Sequence, residues 1–320
     1  MKIHLPNSAF IGNIDPFLRS FDSREPDRLE ITANKKWISV HPLVLSMIAA
    51  LGIGLQPQNI YCERLEARSK HYLERMGLFR MLRISSGIRI TEHEPAGRFI
   101  PISKITTSEE LTRFITEMVP LLHLEPKHAE PLRYIISELA RNVLEHADSE
   151  KGAIICAQYY KKSNTIRIGI ADTGVGIRKT INNAYDAKTD LDAIRLALTP
   201  GITGTTRMGG GTEFNVGAGL FFIRSIAEAN RDFFMIYSGD AFYKLLKKRQ
   251  GTRQHLFADP LRNKHSSEEH LPHWQGTVVG IDISLDTNEE FSNLLDLIKD
   301  IFVKTIRERK KKTFRRPRFA

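Results

Sequence analysis

The clearest periodic pattern in the chain surrounds the sequence SELARNVLEH, residues 137–146. Apolar residues recur there at intervals of three and four, which predicts an amphipathic α-helix. Its apolar positions are Leu132, Ile135, Ile136, Leu139, Val143, Leu144 and Ala147. Glu138, Asn142 and His146 stand four residues apart and share a polar stripe on the same helix. Taken alone, such a stripe is more often a solvated helix face than a functional site.

A second pattern places an acidic residue at the end of a strand. The segment NTIRIGIADTGVGI has branched apolar residues at alternate positions, which predicts a strand running into Asp172. Gly174 and Gly176 follow and predict a turn. The spacing D-x-G-x-G is a weak signal by itself, because ordinary turns also contain it.

A third pattern is a glycine-rich loop that opens a helix, within the sequence MGGGTEFNVGAGLFFIRSIAEANR. Gly217 and Gly219 precede Leu220, and apolar residues then recur at helical spacing. Glycine allows a ligand to approach the backbone closely, and a helix start offers free N–H groups to an anion. The segment is suited to holding phosphate, although plain loop flexibility is the commoner explanation.

The N-terminal part of the chain alternates strands and helices. Residues 28–62 predict strand, helix and strand, and a further helix follows that ends near Gly77. We predict a small α/β domain over residues 1–103, with neither a glycine-rich phosphate loop nor a nucleophile beside an evident base. Its composition resembles STAS-type domains. The second domain is predicted over residues 104–303 after a segment rich in proline, glycine and polar residues.

Composition limits the class of protein. At 320 residues and 41% apolar residues, the chain can bury two ordinary cores. Its longest apolar run is shorter than the roughly 18 residues of a membrane span, and no basic-then-apolar leader follows Met1, so we expect a cytoplasmic protein without a membrane partner. Cys62 and Cys156 lie in different segments and predict neither a disulfide framework nor a metal site.

Positive charge is concentrated at the C-terminal end. Residues 304–320 contain nine Lys or Arg and one Glu, a net +8 out of +10 for the whole chain. We predict an exposed basic tail, because such a run repels itself and attracts phosphate polyanions. Two interpretations are open: the tail binds nucleic acid, or it serves solubility or protein docking.

The order of the three patterns is more specific than any one of them. E-x-x-x-N on a helix, then D-x-G-x-G after a strand, then G-x-G-L opening a helix resembles the ATP-binding site of the GHKL superfamily, whose members include DNA gyrase B, MutL and the histidine kinases. The segment QGTVVGIDISL, residues 275–285, is similar to the closing strand of that family. The resemblance covers residues 108–285 and implies an α+β fold. It also implies a C-terminal Bergerat-type α/β sandwich, with helices on one face of a mixed sheet, beside the smaller N-terminal α/β domain.

The resemblance implies roles for these residues toward ATP and Mg²⁺. Asn142 would coordinate Mg²⁺ through its amide oxygen, and Glu138 would orient or deprotonate the attacking water. Asp172 would accept a hydrogen bond from the adenine amino group, and Thr277 would reach adenine through water. The base pocket would be lined by Gly174 and Gly176, and the phosphates would lie at Gly217, Gly219 and Leu220.

Two segments depart from regular elements in this prediction. Residues 178–216 would form the lid over the nucleotide, with Thr203, Thr205, Thr206 and Arg207 as candidate phosphate contacts; a solvated loop cation is the alternative for Arg207. Residues 247–275 would insert a polar, His-rich loop before the closing strand. Its histidines match no zinc spacing, so we expect a solvated loop and a candidate partner surface.

The resemblance leaves the activity open. A slow Mg-dependent ATPase whose lid closure controls an unidentified protein partner is the first hypothesis. A nucleotide-gated binding module without meaningful turnover is the second, and a serine protein kinase similar to the anti-sigma-factor kinases is a third. A phospho-accepting histidine on a dimerising helix, as in histidine kinases, is not found; a homodimer remains open.

Overall fold

The computed structural model of the chain describes residues 1–36, 38–88, 98–202, 219–247, 256–286 and 291–313. In these ranges the strands are β1 (Lys2–Leu5), β2 (Ser8–Ala9), β3 (Leu29–Ala33), β4 (Ser39–Val40), β5 (Ile60–Cys62), β6 (Phe99–Ile105), β7 (Ala153–Tyr160), β8 (Thr165–Ala171), β9 (Phe234–Gly239), β10 (Ala241–Leu245), β11 (His265–Glu268) and β12 (Trp274–Ser284). The α-helices are α1 (Asp15–Arg19), α2 (Pro42–Gly52), α3 (Ala67–Arg75), α4 (Leu78–Leu82), α5 (Ser108–Arg113), α6 (Pro126–His146), α7 (Gly176–Ile181), α8 (Asp190–Ala197), α9 (Gly219–Ala229) and α10 (Phe291–Thr313). The chain is thus mixed α/β, as the sequence predicts.

The largest sheet is antiparallel throughout. Among the described residues its strand order is β11-β10-β9-β12-β8-β7-β6, and each neighbouring pair is antiparallel. The expected mixed sheet is therefore wrong. The physical reason is the connectivity: β7–β8 and β9–β10 are joined by short turns, which only antiparallel neighbours allow.

One face of this sheet packs against the predicted helix. The helix is α6, and its buried residues include Leu132, Ile136 and Leu139, as the periodicity predicts. Helices α6, α9 and α10 contact one another, and their apolar residues share a core with alternate residues of the strands, such as Ile168 in β8 and Ile281 in β12. This layer places the polar stripe of α6 beside the start of α9.

The opposite face of the sheet is covered by the N-terminal part of the chain. Every residue of α2 is buried, and this helix contacts β7, β8 and β12. Gly169 in β8 and Gly280 in β12 are register partners beneath it. A Cβ atom on Gly169 would lie 2.1 Å from the backbone nitrogen of Leu43, so glycine is required by the close approach of the helix. Helix α2 lies in the predicted N-terminal domain and covers the face of the sheet opposite α6, α9 and α10.

Polar contacts join the same two parts. The ammonium of Lys244, which is 2% exposed at its side chain, bonds Asp15 Oδ1. His41 Nε2 lies 3.0 Å from Asp282 Oδ1, and both side chains are buried. Burial lowers the pKa of His41, opposed by its contact with Asp282. Because single members of such buried pairs cannot be removed without leaving an unpaired polar group, these contacts fix how α1 and α2 sit on the sheet.

Two predicted segment limits fall on strands of the large sheet. The predicted boundary at 103/104 lies inside β6, which belongs to the large sheet. In the predicted loop 247–275, residues 265–268 form edge strand β11, paired with β10, so a wholly solvated loop is wrong. His265 in that strand stacks on Tyr243, with ring centroids 5.4 Å apart. His255 lies outside the described residues.

The predicted basic tail begins as a helix. Residues 304–313 continue α10, so the predicted boundary at 303/304 lies inside this helix; apolar residues such as Ile306 pack this part of α10 against the core. Across the ranges that the structure describes, no helix combines the length and apolarity needed to cross a membrane.

Candidate functional site

A cavity of about 460 Å³ opens between α6, α7, α9, α10 and the ends of β8 and β12. This volume is within the usual range of small-molecule sites, about 300–1,000 Å³. Most of the predicted site residues line it, namely Glu138, Asn142, Asp172, Gly176, Gly219, Leu220 and Thr277. Segments far apart in the sequence thus converge on one site. Gly174 lies next to the cavity, and Gly217 lies outside the described residues.

Asp172 is fixed at the end of β8 by its backbone. Its N–H donates to Thr277 O at 2.9 Å, and its carbonyl accepts from Trp274 Nε1 at 3.0 Å. Its Oδ1 accepts from the Gly174 N–H at 2.8 Å. Among the described residues only backbone N–H groups donate to this carboxylate, and it borders the cavity. An acceptor is therefore available to a ligand there.

Burial raises the pKa of Asp172 to about 7, and backbone hydrogen bonds from Gly174 and Thr277 oppose the rise. The residue is only 2% exposed. A buried carboxyl group without a nearby cation is costly to ionise, and such perturbed groups are concentrated at functional sites. Asp172 is thus a strong candidate for contacting a ligand rather than for stabilising the fold.

The glycines around Asp172 are in close contact with neighbouring backbone or have positive φ angles. A Cβ atom on Gly174 would lie 1.9 Å from the carbonyl oxygen of Ala147, where the α6 end meets the turn. Gly276, which sequence reasoning missed as a site residue, has φ +104° and would place a Cβ atom 2.4 Å from Asp172 O. Gly176 has φ +78° and begins α7. The D-x-G-x-G turn is therefore set by close packing and backbone conformation.

Ser238 and Gln275 support this turn from the neighbouring strands. Ser238 Oγ accepts from the Ile177 N–H at 3.0 Å and donates to Gly276 O at 2.6 Å. Gln275 Nε2 donates to Gly174 O. No sequence pattern marks either residue, because their contacts depend on the register of β9 with β12.

The polar stripe of α6 faces the start of α9. A Cβ atom on Gly219 would lie 2.9 Å from Glu138 Oε2 and 3.5 Å from Asn142 Nδ2. Glycine at this position leaves room between the helix start and the two side chains. Among the described residues Asn142 Nδ2 is buried without a hydrogen-bond partner. Since an unpaired buried amide is costly, the site is arranged for a polar group that these residues do not supply.

These donors fit a magnesium ion bound together with phosphates. Turning the Asn142 amide about its last bond exchanges oxygen and nitrogen, so an oxygen can face the space beside Gly219. Mg²⁺ prefers oxygen ligands and is commonly held by one or two protein groups, phosphates and water. Among the described residues no cluster of three or more His, Cys, Asp or Glu could hold a metal by itself.

Charge around the stripe is mixed. Burial raises the pKa of Glu138, and the positive charge of Arg141, whose Nη1 lies 3.5 Å from Glu138 Oε1, opposes the rise. Lys299 of α10 also lines the cavity and pairs with Asp296 at 3.0 Å. Sequence reasoning missed Lys299, because it lies beyond the segment that resembles a known family.

The predicted lid is folded in the part that the structure describes. Residues 178–202 include α8, whose Ala193 and Ile194 are buried and which packs on β9 and β10. Ile202 reaches the cavity wall. Thr203, Thr205, Thr206, Arg207 and the remainder of the lid to residue 216 lie outside the described residues.

Comparison with known proteins adds no relative. No family model matches the chain. No curated protein matches it either.

Proposed function

We propose that this chain is a Mg-dependent ATP-binding protein of the GHKL type that hydrolyses ATP slowly, with the sheet and α6, α9 and α10 forming a Bergerat-type sandwich. The observation that carries the proposal is the convergence of Asp172, the Glu138–Asn142 stripe and Gly219 on one cavity. These groups come from three separate segments and match, in kind and order, what adenine, metal and phosphates require. No other cavity described for this chain combines such groups.

Adenine recognition is assigned to Asp172. An ionised carboxylate only accepts hydrogen bonds, so its Oδ2 favours the amino group of adenine over the carbonyl of guanine. Gly176 and Thr277 border the same end of the cavity and leave space for a flat base. The strand positions the acceptor before the ligand arrives, which lowers the cost of binding.

The phosphates are assigned to the other end, between Asn142 and the start of α9. The N–H groups of a helix start favour an anion, and α9 has eleven residues to support its dipole. A bound Mg²⁺ would neutralise phosphate charge there. Asn142 would hold the ion, and Gly219 would allow the phosphates to approach the backbone.

Glu138 is assigned the activation of water. It lies one helical turn before Asn142, and burial raises its pKa toward the range in which a carboxylate is an effective general base. A carboxylate in this position can accept a proton from a water molecule beside the terminal phosphate. Lid closure over the cavity would then control an unidentified protein partner.

The test separates binding from turnover. Calorimetric titration with ATP, ADP and GTP, with and without Mg²⁺, should give ATP binding that Mg²⁺ strengthens and GTP binding that is weak. In single-turnover assays, Glu138→Ala should bind ATP but cleave it about 100-fold more slowly or worse. Asn142→Ala should lose the Mg²⁺ dependence of binding.

Glu130→Ala is the matched control, since Glu130 is an exposed carboxylate on the same helix that does not line the cavity. It should leave both measurements unchanged. Absence of ATP binding by the unaltered chain would overturn the proposal. Binding without cleavage or phosphate transfer would instead identify a nucleotide-gated binding module, and phosphate transfer to a serine of a partner would identify a protein kinase.

A further inference from the structure

The outer face of α10 carries a stripe of positive charge. Lys304, Arg307 and Lys311 are exposed and stand three and four residues apart, so they project from the same side of the helix. The helix rises about 1.5 Å per residue, which makes the stripe about 10 Å long. Glu308, the one acidic residue among residues 304–320, is exposed on the same side of the helix, so the three cations outnumber it there. Three further arginines follow in the sequence at 315, 316 and 318.

The inner face of the same helix forms a wall of the cavity. Leu295, Lys299 and Phe302 line it. The Phe302 ring packs against the rings of Phe221 and Phe222 in α9, with centroids 6.1 and 5.8 Å away. The helix that carries the basic stripe therefore contacts both the ligand space and the helix that begins at the proposed phosphate site.

The basic half of α10 also contacts the segment that continues from α8. Arg309 Nη1 donates to Pro200 O at 3.0 Å. A Cβ atom on Gly201 would lie 2.9 Å from Ile306 Cδ1, so backbone and helix are in close contact. These contacts lie within one helical turn of Arg307. A shift of α10 would therefore move both the cavity wall and the basic stripe on this helix.

We propose that Lys304, Arg307 and Lys311 bind the phosphate backbone of nucleic acid, and that this binding is strengthened when nucleotide fills the cavity lined by α10. The coupling depends on the proposed function as an ATP-binding protein, whereas nucleic acid binding by the three cations does not. The stripe of three cations is about 10 Å long and so covers about three of the roughly 3.4 Å axial steps between phosphates on one strand. The contacts carry no base information, so binding should be independent of sequence.

A lipid surface fits this face less well. A helix that binds in the membrane interface needs an exposed apolar face as well as cations. Along α10 from residue 304 onward, the exposed side chains that the structure describes are Lys304, Arg307, Glu308 and Lys311. The apolar residue Ile306 faces the protein, so it is not offered to lipid.

The sign of the coupling follows from the cavity wall. A ligand that contacts Leu295 and Phe302 stabilises α10 in the position described, which is the position that presents the stripe. Coupling free energies between protein sites commonly change affinity about 5- to 150-fold, and the change is the same from either side. We therefore expect Mg-ATP to tighten nucleic acid binding at least about fivefold, and nucleic acid to tighten ATP binding equally.

The test uses the full chain and a fluorescently labelled DNA duplex, titrated by anisotropy over a range of salt. Three phosphate contacts release about 0.9 counterion each, so their share of the affinity should fall about 40-fold between roughly 50 and 200 mM salt. The triple variant Lys304→Gln, Arg307→Gln, Lys311→Gln should lose the contribution of these three contacts to DNA affinity. Its plot of log affinity against log salt concentration should be less steep by about 2.7.

The matched control is Lys36→Gln, Lys161→Gln, Lys162→Gln, which removes the same charge from exposed lysines away from α10. It should retain most of the affinity and slope. Equal losses in both triple variants, or binding of an acidic polypeptide or anionic vesicles in preference to DNA, would overturn the stripe as a nucleic acid site.

Coupling is measured by repeating the DNA titration with saturating Mg-ATP. At a Mg-ATP concentration that fills the unaltered chain but not the weaker Asp172→Asn variant, the variant should bind DNA normally, and Mg-ATP should tighten its DNA binding less than in the unaltered chain. DNA affinity that is unchanged or weakened by ATP, in protein that demonstrably binds ATP, would overturn the coupling. Absence of ATP binding by the unaltered chain would overturn the proposed function and with it the coupling, while the DNA titration alone would still decide the stripe.

Discussion

Replacing Asp172 by Asn should weaken ATP binding and stabilise the protein at the same time. The amide keeps an oxygen that can accept from the Gly174 N–H, as Oδ1 does now. Its nitrogen would take the place of Oδ2, where it presents a donor to the donating amino group of adenine. We expect ATP affinity to fall at least tenfold, which corresponds to about 1.4 kcal/mol.

The gain in stability follows from the cost of burying the charge. The pKa of Asp172 rises from 3.8 to about 7 on folding, because burial disfavours the ionised form. Each pKa unit corresponds to about 1.36 kcal/mol, so the ionised side chain costs the native state about 4 kcal/mol.

The sign of the pH dependence is set by which state binds the proton more tightly. Here it is the native state, so the contribution of Asp172 to the free energy of unfolding is fully present below about pH 4 and is lost as pH rises through about 7. Asn does not titrate. Relative to the unaltered chain, Asp172→Asn should therefore gain about 2–3 kcal/mol of stability between about pH 5 and 8.

Denaturant unfolding at several pH values measures this gain, and calorimetric titration with ATP measures the loss of affinity. Asp232→Asn is the matched control, because burial also raises the pKa of Asp232 to about 7 while the residue does not line the cavity. It should change the pH dependence of stability and leave ATP affinity unchanged. If Asp172→Asn retains its ATP affinity, or is less stable than the unaltered chain at pH 8, the reasoning about this carboxylate is refuted.

Two further predictions concern the packing of α2 on the sheet and the α10 wall of the cavity. Gly169→Ala should lower the free energy of unfolding by about 1–3 kcal/mol or more in denaturant titrations, since its Cβ would lie 2.1 Å from the Leu43 nitrogen; Gly280→Ala, whose nearest contact is a flexible side-chain end at 3.1 Å, should cost less. Lys299→Ala should weaken ATP binding about fivefold and leave AMP binding unchanged in calorimetric titrations, because an exposed ammonium contributes about 1 kcal/mol to a phosphate contact. Asp296→Ala frees Lys299 and should not weaken ATP binding; an equal loss in both variants would exclude a direct role for Lys299.

Local patterns predicted the site residues that depend on local geometry. In any helix, residues four apart such as Glu138 and Asn142 lie on the same face. The apolar positions of α6 determine which face of the helix packs against the core. Asp172 is at the end of a strand because alternating isoleucines stop there. That these groups meet in one cavity was predicted from the order of the motifs, and the described residues do bring them together.

Contacts between segments distant in the sequence could not be predicted from local patterns. Gly276 and Trp274 touch Asp172 from across the sheet, about a hundred residues away in sequence. The polar sequence at 265–268 has no apolar alternation, so only its pairing with β10 makes it a strand. The antiparallel order of the sheet likewise depends on which strands become neighbours, a choice made by the packed core as a whole.

The role of β8 links the N-terminal part of the chain to the site. Its isoleucines face α6, α9 and α10, whereas Gly169, on the opposite face, receives α2 and lies three residues before Asp172. The core formed with α2 includes Cys156 of β7 and Val278 of β12, the residue after Thr277. Because interiors are close-packed and transmit displacement, the position of α2 constrains the strand ends that hold Asp172 and Thr277. The N-terminal segment, which has no predicted chemistry of its own, is therefore part of what holds the adenine end of the proposed site in place.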